Sequence, residues 1–197
     1  MKKIRKIILV TGTPGVGKTT VSLNLATKLN AHYIDITDLV KTKKLVTSVD
    51  KKRKTLIADT KKVSDHLQET LSNIEDTIIL EGHYVIDVVT KEDVDIVFVL
   101  RRDPRELKTV LEKRGYTEKK IWENLAAEIL DVCLCDALSV CNEDKVCEID
   151  VSGKDENAVI EEILLLLKKK QDFYFGTIDW LRKLESTGQL EEFLRKF

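Results

Sequence analysis

Eight residues near the start of the chain, residues 12–19, read GTPGVGKT and follow the pattern G-x-x-x-x-G-K-[ST]. In such a loop, successive backbone N–H groups curl around phosphate oxygens, and glycine lets the backbone approach them closely. Lys18 would reach the β- and γ-phosphates, and the Thr19 hydroxyl would bind Mg²⁺. The pattern therefore predicts a site for a nucleoside triphosphate with magnesium.

The residues on either side of this loop support the prediction. Residues 7–10 form a continuous apolar run, which is typical of a strand buried on both faces. After the loop, Val21, Leu25 and Leu29 recur at four-residue spacing, which predicts one face of a helix. A strand, a glycine-rich loop and a helix stand in the order that phosphate binding requires, so a chance glycine turn is the weaker interpretation.

The rest of the chain alternates between apolar runs and helical periodicities. Predicted strands cover residues 7–10, 32–35, 77–80, 95–100 and 146–151. This alternation predicts an α/β fold with a parallel sheet covered by helices on both faces. Asp103 and Pro104 predict a helix start, and the apolar spacing over 121–132 predicts one long helix.

Composition narrows the class of protein. The 197 residues are 34% charged and 43% hydrophobic, with a net charge of −1 from 33 basic and 34 acidic side chains. We expect one ordinary soluble domain, with no global charge argument for binding nucleic acid or a membrane. No run is apolar for long enough to span a bilayer, so the expected location is the cytoplasm and no membrane partner is expected.

The four cysteines favour a reducing compartment. Cys133, Cys135, Cys141 and Cys147 have a spacing that matches no common zinc pattern. We interpret them as free, partly buried thiols. The sequence leaves a disulfide open as the alternative.

Ligands of open α/β sheets bind beyond the carboxyl ends of the strands, so the residues that follow each strand are candidates. Glu81 follows the third strand, in the position of a Walker B acid that holds the magnesium hydration shell or orients a nucleophile. His83 would point the same way if the chain stays extended. A carboxylate that only caps the strand end, and a structural histidine, are the alternatives.

Arginines follow the later elements. Of Arg101 and Arg102, after the fourth strand, one should point into the ligand crevice, and we favour Arg101. Arg114 ends the next helix, before Gly115. Phosphoryl transfer depends on positioning and charge neutralisation, which mobile arginines supply. Each arginine taken alone is more often part of a surface ion pair, and it is their placement that favours a functional role.

Three segments together resemble the adenylate kinase isoenzyme 6 family, which has eukaryotic and archaeal members. They are GTPGVGKTT at 12–20, IVFVLR at 96–101 and RGYTEKK at 114–120, and the resemblance covers roughly residues 6–168. It implies a P-loop NTPase of the nucleoside monophosphate kinase type, with strand order 2-3-1-4-5. It also implies Mg²⁺-dependent phosphoryl transfer from ATP to AMP giving two ADP, with ATPase activity.

The resemblance also implies roles for particular residues. The kinase domain would cover 1–170, with an AMP-binding segment at about 35–58 and a lid at about 113–123. The implied ATP-binding residues are Gly15, Val16, Gly17, Lys18, Thr19, Thr20, Arg114 and Lys154. The implied AMP-binding residues are Thr37, Asp38, Lys41, His83 and Arg101. The implied catalytic residues are Lys18, Glu81, His83, Arg101 and Arg114. Thr19 would bind Mg²⁺ directly, and Glu81 through water.

The chain departs from the family in an acidic residue, in its C-terminal segment, and near Val85, where ordinary adenylate kinases carry an arginine. Glu81 stands where the family has aspartate in an Asp-x-His pair tied to ATP hydrolysis and to a ribosomal role. Residues 171–197 have no counterpart in the resemblance, and their aromatic side chains predict an extension that docks on something.

The resemblance further implies a role in maturing the small ribosomal subunit. The partners would be a small-subunit ribosomal protein and pre-rRNA, which the basic stretch 51–54 could contact. Two alternatives therefore stay open beside the kinase: an ATP-switched ribosome assembly factor, and a kinase for another nucleoside monophosphate. A solvated face is the simpler interpretation of the basic stretch.

Overall fold

The computed structural model describes residues 5–50, 55–83, 85–169 and 173–195. Its centre is a five-stranded parallel sheet. The strands of this sheet are β1 (Ile7–Thr11), β2 (His32–Asp35), β5 (Ile78–Glu81), β6 (Ile96–Arg101) and β7 (Val146–Asp150). Two further strands, β3 (Val46–Asp50) and β4 (Thr55–Ala58), form a separate antiparallel hairpin.

The strand order in the sheet is β2-β5-β1-β6-β7. Counted among these five strands alone, the order is 2-3-1-4-5, which confirms the prediction. The hairpin of β3 and β4 was not predicted, and it lies within the segment 35–58. It stands outside the sheet, so it changes the numbering of the strands but not the fold class.

Helices cover both faces of the sheet. They are α1 (Lys18–Leu29), α2 (Ile36–Thr42), α3 (Thr60–Ser72), α4 (Pro104–Lys113), α5 (Glu118–Ile129), α6 (Val132–Val140), α7 (Glu156–Lys169), α8 (Trp180–Ser186) and α9 (Leu190–Leu194). Buried side chains form one core on each face, the first against α1, α5 and α7, and the second against α3 and α6. Burial on both faces explains the apolar runs of β1, β5 and β6, whereas the edge strand β2 is only partly buried.

The prediction of one long helix over residues 121–132 is wrong. It breaks at Asp131, which adopts a left-handed conformation with φ of 56° and separates α5 from α6. A left-handed residue costs energy unless other contacts hold it. Asp131 has such a contact, because its carboxylate accepts a hydrogen bond from the Arg101 guanidinium.

All four cysteines are free thiols, as expected.

The predicted start of α4 is confirmed. Asp103 is the N-cap, its carboxylate accepts from the backbone N–H of Arg105, and Pro104 occupies the first turn. The same carboxylate also accepts from the Arg105 guanidinium and lies 3.0 Å from the Lys183 ammonium of α8. The cap therefore joins the body of the fold to the C-terminal segment.

Replacing Asp103 with asparagine tests this cap. The pKa of the carboxyl lies well below its ordinary 3.8, first because the Arg105 side chain donates to it. A depressed pKa adds stability that is present above the unfolded pKa and lost as the pH falls through the folded one. We expect Asp103→Asn to be less stable than the wild type at pH 7, and the difference to shrink below about pH 4. Urea unfolding at pH 7 and at about pH 2 measures this, and an equal difference in unfolding free energy at the two pH values would contradict it.

Candidate active site

The phosphate loop follows β1 and needs glycine where the backbone is left-handed or crowded. Gly12 has φ of +138°, and a Cβ there would lie 2.4 Å from the Leu100 carbonyl oxygen. Gly15 has φ of +100°, and a Cβ would lie 2.8 Å from Leu107 Cδ1. Side chains at these positions would push the loop off β6 and α4. The glycines therefore fix how the loop sits on the sheet.

Lys18 is the first residue of α1 and has only 9% of its surface exposed. Its ammonium donates to the carbonyl oxygens of Gly12 at 2.8 Å and Thr13 at 3.2 Å. Burial lowers its pKa, because the surroundings disfavour the charged form. The loop thus holds the lysine across itself, in the position from which it would meet a phosphate.

Glu81 ends β5, next to β1 in the sheet, and is buried. Its carboxylate accepts from the Thr19 hydroxyl at 2.7 Å and from the Tyr33 hydroxyl at 2.6 Å. The tyrosine pKa is strongly raised, first by burial and then by its hydrogen bond to Glu81. The structure therefore brings the predicted pair Thr19 and Glu81 into direct contact, and adds Tyr33, which the sequence analysis missed.

The pair Thr19 and Glu81 fits a magnesium ion. Both offer hard oxygen donors, and Mg²⁺ usually takes one or two such groups from the protein and the rest from substrate phosphates and water. The contact places hydroxyl and carboxylate together beside the lysine of the phosphate loop.

His83 lies half-buried just beyond Glu81. Burial lowers its pKa to about 4, with further contributions from the charges of Lys18 and Lys120. The imidazole is therefore neutral at pH 7. The charges of Lys18, at the phosphate loop, and Lys120, on α5, are therefore both within electrostatic reach of His83.

The prediction that Arg101 points into the crevice is wrong. Its side chain is 1% exposed and binds three carboxylates, those of Glu128, Asp131 and Glu148. Burial, the largest influence, lowers its pKa, but these carboxylates outweigh burial and the net shift is upward. Because its guanidinium is buried and bound to carboxylates, Arg101 is inaccessible to either nucleotide. Glu128 and Glu148 are themselves buried, so their carboxylates need this cation.

The neighbouring Arg102 occupies the place predicted for Arg101. Its Nη2 lies 3.9 Å from where a Cβ on Gly17 would stand, at the start of α1. Its Nε is buried and has no hydrogen-bond partner among the described residues. A guanidinium beside the phosphate loop with a donor unused is suited to an anionic ligand.

Arg114 and Lys154 are both exposed. Arg114 is the C-cap of α4, and its charge contributes to lowering the Lys18 pKa, so it lies within electrostatic reach of the loop. Lys154 follows β7, and its ammonium lies 2.7 Å from the Glu162 carboxylate on α7. The structure thus places the charge of Arg114 within electrostatic reach of the phosphate loop, whereas the Lys154 ammonium pairs with a carboxylate on α7.

Three of the five residues predicted for the second nucleotide, Thr37, Asp38 and Lys41, lie on α2. Thr37 and Asp38 donate backbone N–H groups to the Asp35 carboxylate that caps the helix, and Lys41 is exposed in its last turn. A Cβ on Gly82 would lie 3.3 Å from the Ile36 Cβ. The start of α2 therefore borders the loop that carries Glu81 and His83.

Solved structures of kinases share this fold. A gluconokinase from Sinorhizobium meliloti matches with a TM-score of 0.55 at 16% identity, covering 85% of this chain and 94% of that one. A shikimate kinase from Bacteroides thetaiotaomicron matches with a TM-score of 0.57 at 16% identity, covering 83% and 98%. A sequence family described as "AAA domain" matches residues 8–131. Together with the phosphate loop, these matches define the fold class as that of the P-loop NTPases.

More similar relatives are archaeal. A "Putative adenylate kinase" of Methanocaldococcus jannaschii is 42% identical over 176 residues, which cover 89% of this chain and 93% of that protein. A protein of the same name from Methanosarcina acetivorans is 38% identical, covering 89% and 97%. The chain belongs to this archaeal adenylate kinase family, within the P-loop phosphotransferases. In the described part of the chain, no helix has the length and apolar character of a membrane span.

The two arginines can be separated by experiment. Arg101→Ala would leave the buried carboxylates of Glu128 and Glu148 without their cation, so we expect a loss of about 3–5 kcal/mol in unfolding free energy. Arg102→Ala should unfold within about 1 kcal/mol of the wild type but bind Mg·ATP about tenfold more weakly. Urea unfolding and calorimetric titration measure the two effects. An Arg101→Ala protein as stable as the wild type would contradict the assignment.

Proposed function

We propose that the protein transfers the γ-phosphoryl group of ATP to AMP and releases two ADP. The observation that carries this proposal is the contact between Thr19 and Glu81 beside Lys18, at the carboxyl edge of the sheet. The names of the archaeal relatives support AMP as the acceptor. The adjacent helix α2 supplies a surface for a second nucleotide on the same edge.

On the donor side, the chain provides cations and backbone donors. The N–H groups of residues 12–17 would hold the phosphates, with Lys18 on the β- and γ-oxygens and Thr20 next along α1. Arg102 and Arg114 would neutralise charge on the transferring group. Thr19 would hold Mg²⁺ directly and Glu81 through water. Mg²⁺ held there would neutralise part of the charge on the phosphate oxygens during transfer.

On the acceptor side, α2 and the loop after β5 would hold AMP. Lys41 is the exposed cation for its phosphate, and Thr37 and Asp38 lie at the start of the same helix. The neutral His83 can donate or accept a hydrogen bond to the acceptor. Arg101 has no part in this site, because its guanidinium is buried.

Hydrolysis of ATP is the second candidate. A neutral imidazole two residues from a buried carboxylate could orient a water for attack on the γ-phosphate. The nucleotide state could then switch binding to a ribosomal protein or pre-rRNA. The basic stretch 51–54, on which that contact was predicted, lies outside the described residues.

A panel of acceptors tests the proposal. ADP formation is followed with ATP, Mg²⁺ and each nucleoside monophosphate in turn, with a reaction lacking any acceptor as the baseline. We expect AMP to accelerate ADP formation at least about tenfold over the baseline. Equal rates with and without AMP would show a hydrolase. A faster rate with another nucleoside monophosphate would identify that monophosphate, rather than AMP, as the acceptor.

Tyr33→Phe tests the magnesium position. The variant removes the hydroxyl that holds one carboxylate oxygen of Glu81 but keeps the ring, so Glu81 loses part of its orientation. We expect the Mg²⁺ concentration for half-maximal turnover to rise about tenfold, with little change in folding. His32→Phe, on the same strand with an exposed side chain, is the control. An unchanged Mg²⁺ requirement in Tyr33→Phe would contradict the assignment.

A further inference from the structure

The described part of the C-terminal segment, residues 173–195, packs on the body of its own chain. Trp180 and Phe193 are 2% and 3% exposed, and both belong to the core between the sheet and α5. The Phe193 ring meets the Trp122 ring of α5 edge to face, at 5.6 Å between centroids. We call this segment the brace. It is part of the packed core rather than a free tail.

Polar contacts tie the brace to α4 and to β7, in addition to the ring contact with α5. The Lys183 ammonium lies 3.0 Å from Asp103 at the start of α4, and Lys108 lies 3.9 Å from Glu192. The carbonyl of Tyr174 accepts from the backbone N–H of Glu148 in β7 at 2.9 Å. The brace therefore contacts β7, α4 and α5 at once.

Glu128 links the brace to the phosphate loop. Its carboxylate is 1% exposed and accepts from the Trp180 indole N–H at 3.0 Å and from the Thr13 hydroxyl at 2.6 Å. It also accepts from Arg101 Nε and from the backbone N–H of Arg102, both at 3.0 Å. One buried carboxylate thus joins the loop, the end of β6, α5 and the brace.

We propose that the brace holds the phosphate loop in its binding shape, with Trp180 and Glu128 as positioning residues. The chain of contacts runs from the Trp180 N–H through Glu128 to the Thr13 hydroxyl inside the loop. A loop whose N–H groups must converge on phosphates binds more tightly when its shape is fixed beforehand. The proposal rests on the proposed function only in taking Mg·ATP as the ligand of the loop.

A double-mutant cycle tests this link. Trp180→Phe removes the indole N–H and keeps an aromatic ring, and Thr13→Val removes the hydroxyl and keeps the shape. Tyr174→Phe is the matched control, because it removes a hydroxyl of the same segment that bonds Glu162 and not Glu128. The dissociation constant of Mg·ATP is measured by calorimetry without AMP, so a failure of transfer to AMP leaves the test intact. Thermal unfolding of each variant is measured alongside.

We expect Trp180→Phe and Thr13→Val each to weaken Mg·ATP binding about three- to tenfold, since each removes a hydrogen bond to a buried charge. The double variant should bind little worse than either single variant, because both act through Glu128. Tyr174→Phe should bind as the wild type does. Additive losses in the double variant, or an unchanged affinity in Trp180→Phe, would overturn the proposal.

A second measurement applies if Trp180→Phe fails to fold. Coupling is reciprocal, so Mg·ATP must stabilise the docked brace by the same factor that the brace strengthens Mg·ATP binding. We expect Mg·ATP to slow amide hydrogen exchange in α8 of the wild type more than in Thr13→Val, with α7 slowed alike in both. Equal slowing of α8 in the two proteins would overturn the proposal.

Discussion

The carboxylate of Glu128 lies inside the protein with 1% of its surface exposed, and a charge in that place must be matched by cations and hydrogen-bond donors. Arg101 provides the cation, and Thr13, the Arg102 backbone and Trp180 provide the donors. Because these partners come from the phosphate loop, β6 and the C-terminal segment, satisfying this one charge fixes their relative positions.

The parallel sheet explains why the functional side chains meet. Strands β1 and β5 are neighbours and run the same way, so the loop after β1 and Glu81 at the end of β5 reach one edge together. The same geometry places β2 beside β5, and Tyr33 reaches Glu81 from there. The predicted α/β fold and strand order therefore account for most of the site. Apolar runs marked the strands before the phosphate loop and Glu81, and the family resemblance implied the strand order.

What the sequence could not supply was the direction of single side chains and the long-range partners. Both faces of β6 are buried, so its residues show no alternation of apolar and polar character, and nothing distinguishes the facing of Arg101 from that of Arg102. The sequence does not reveal what Glu128 binds, because its partner Thr13 is 115 residues away along the chain. For Trp180, the sequence predicted only that the C-terminal segment containing it docks on something.

The fate of the γ-phosphate tests the central claim most directly. ATP labelled with ³²P at the γ-position is incubated with the protein, Mg²⁺ and unlabelled AMP, and the products are separated by chromatography. If the protein transfers the γ-phosphoryl group to AMP, the label appears first in ADP, and it appears there only when AMP is present. Label released as inorganic phosphate at the same rate with and without AMP would contradict the claim.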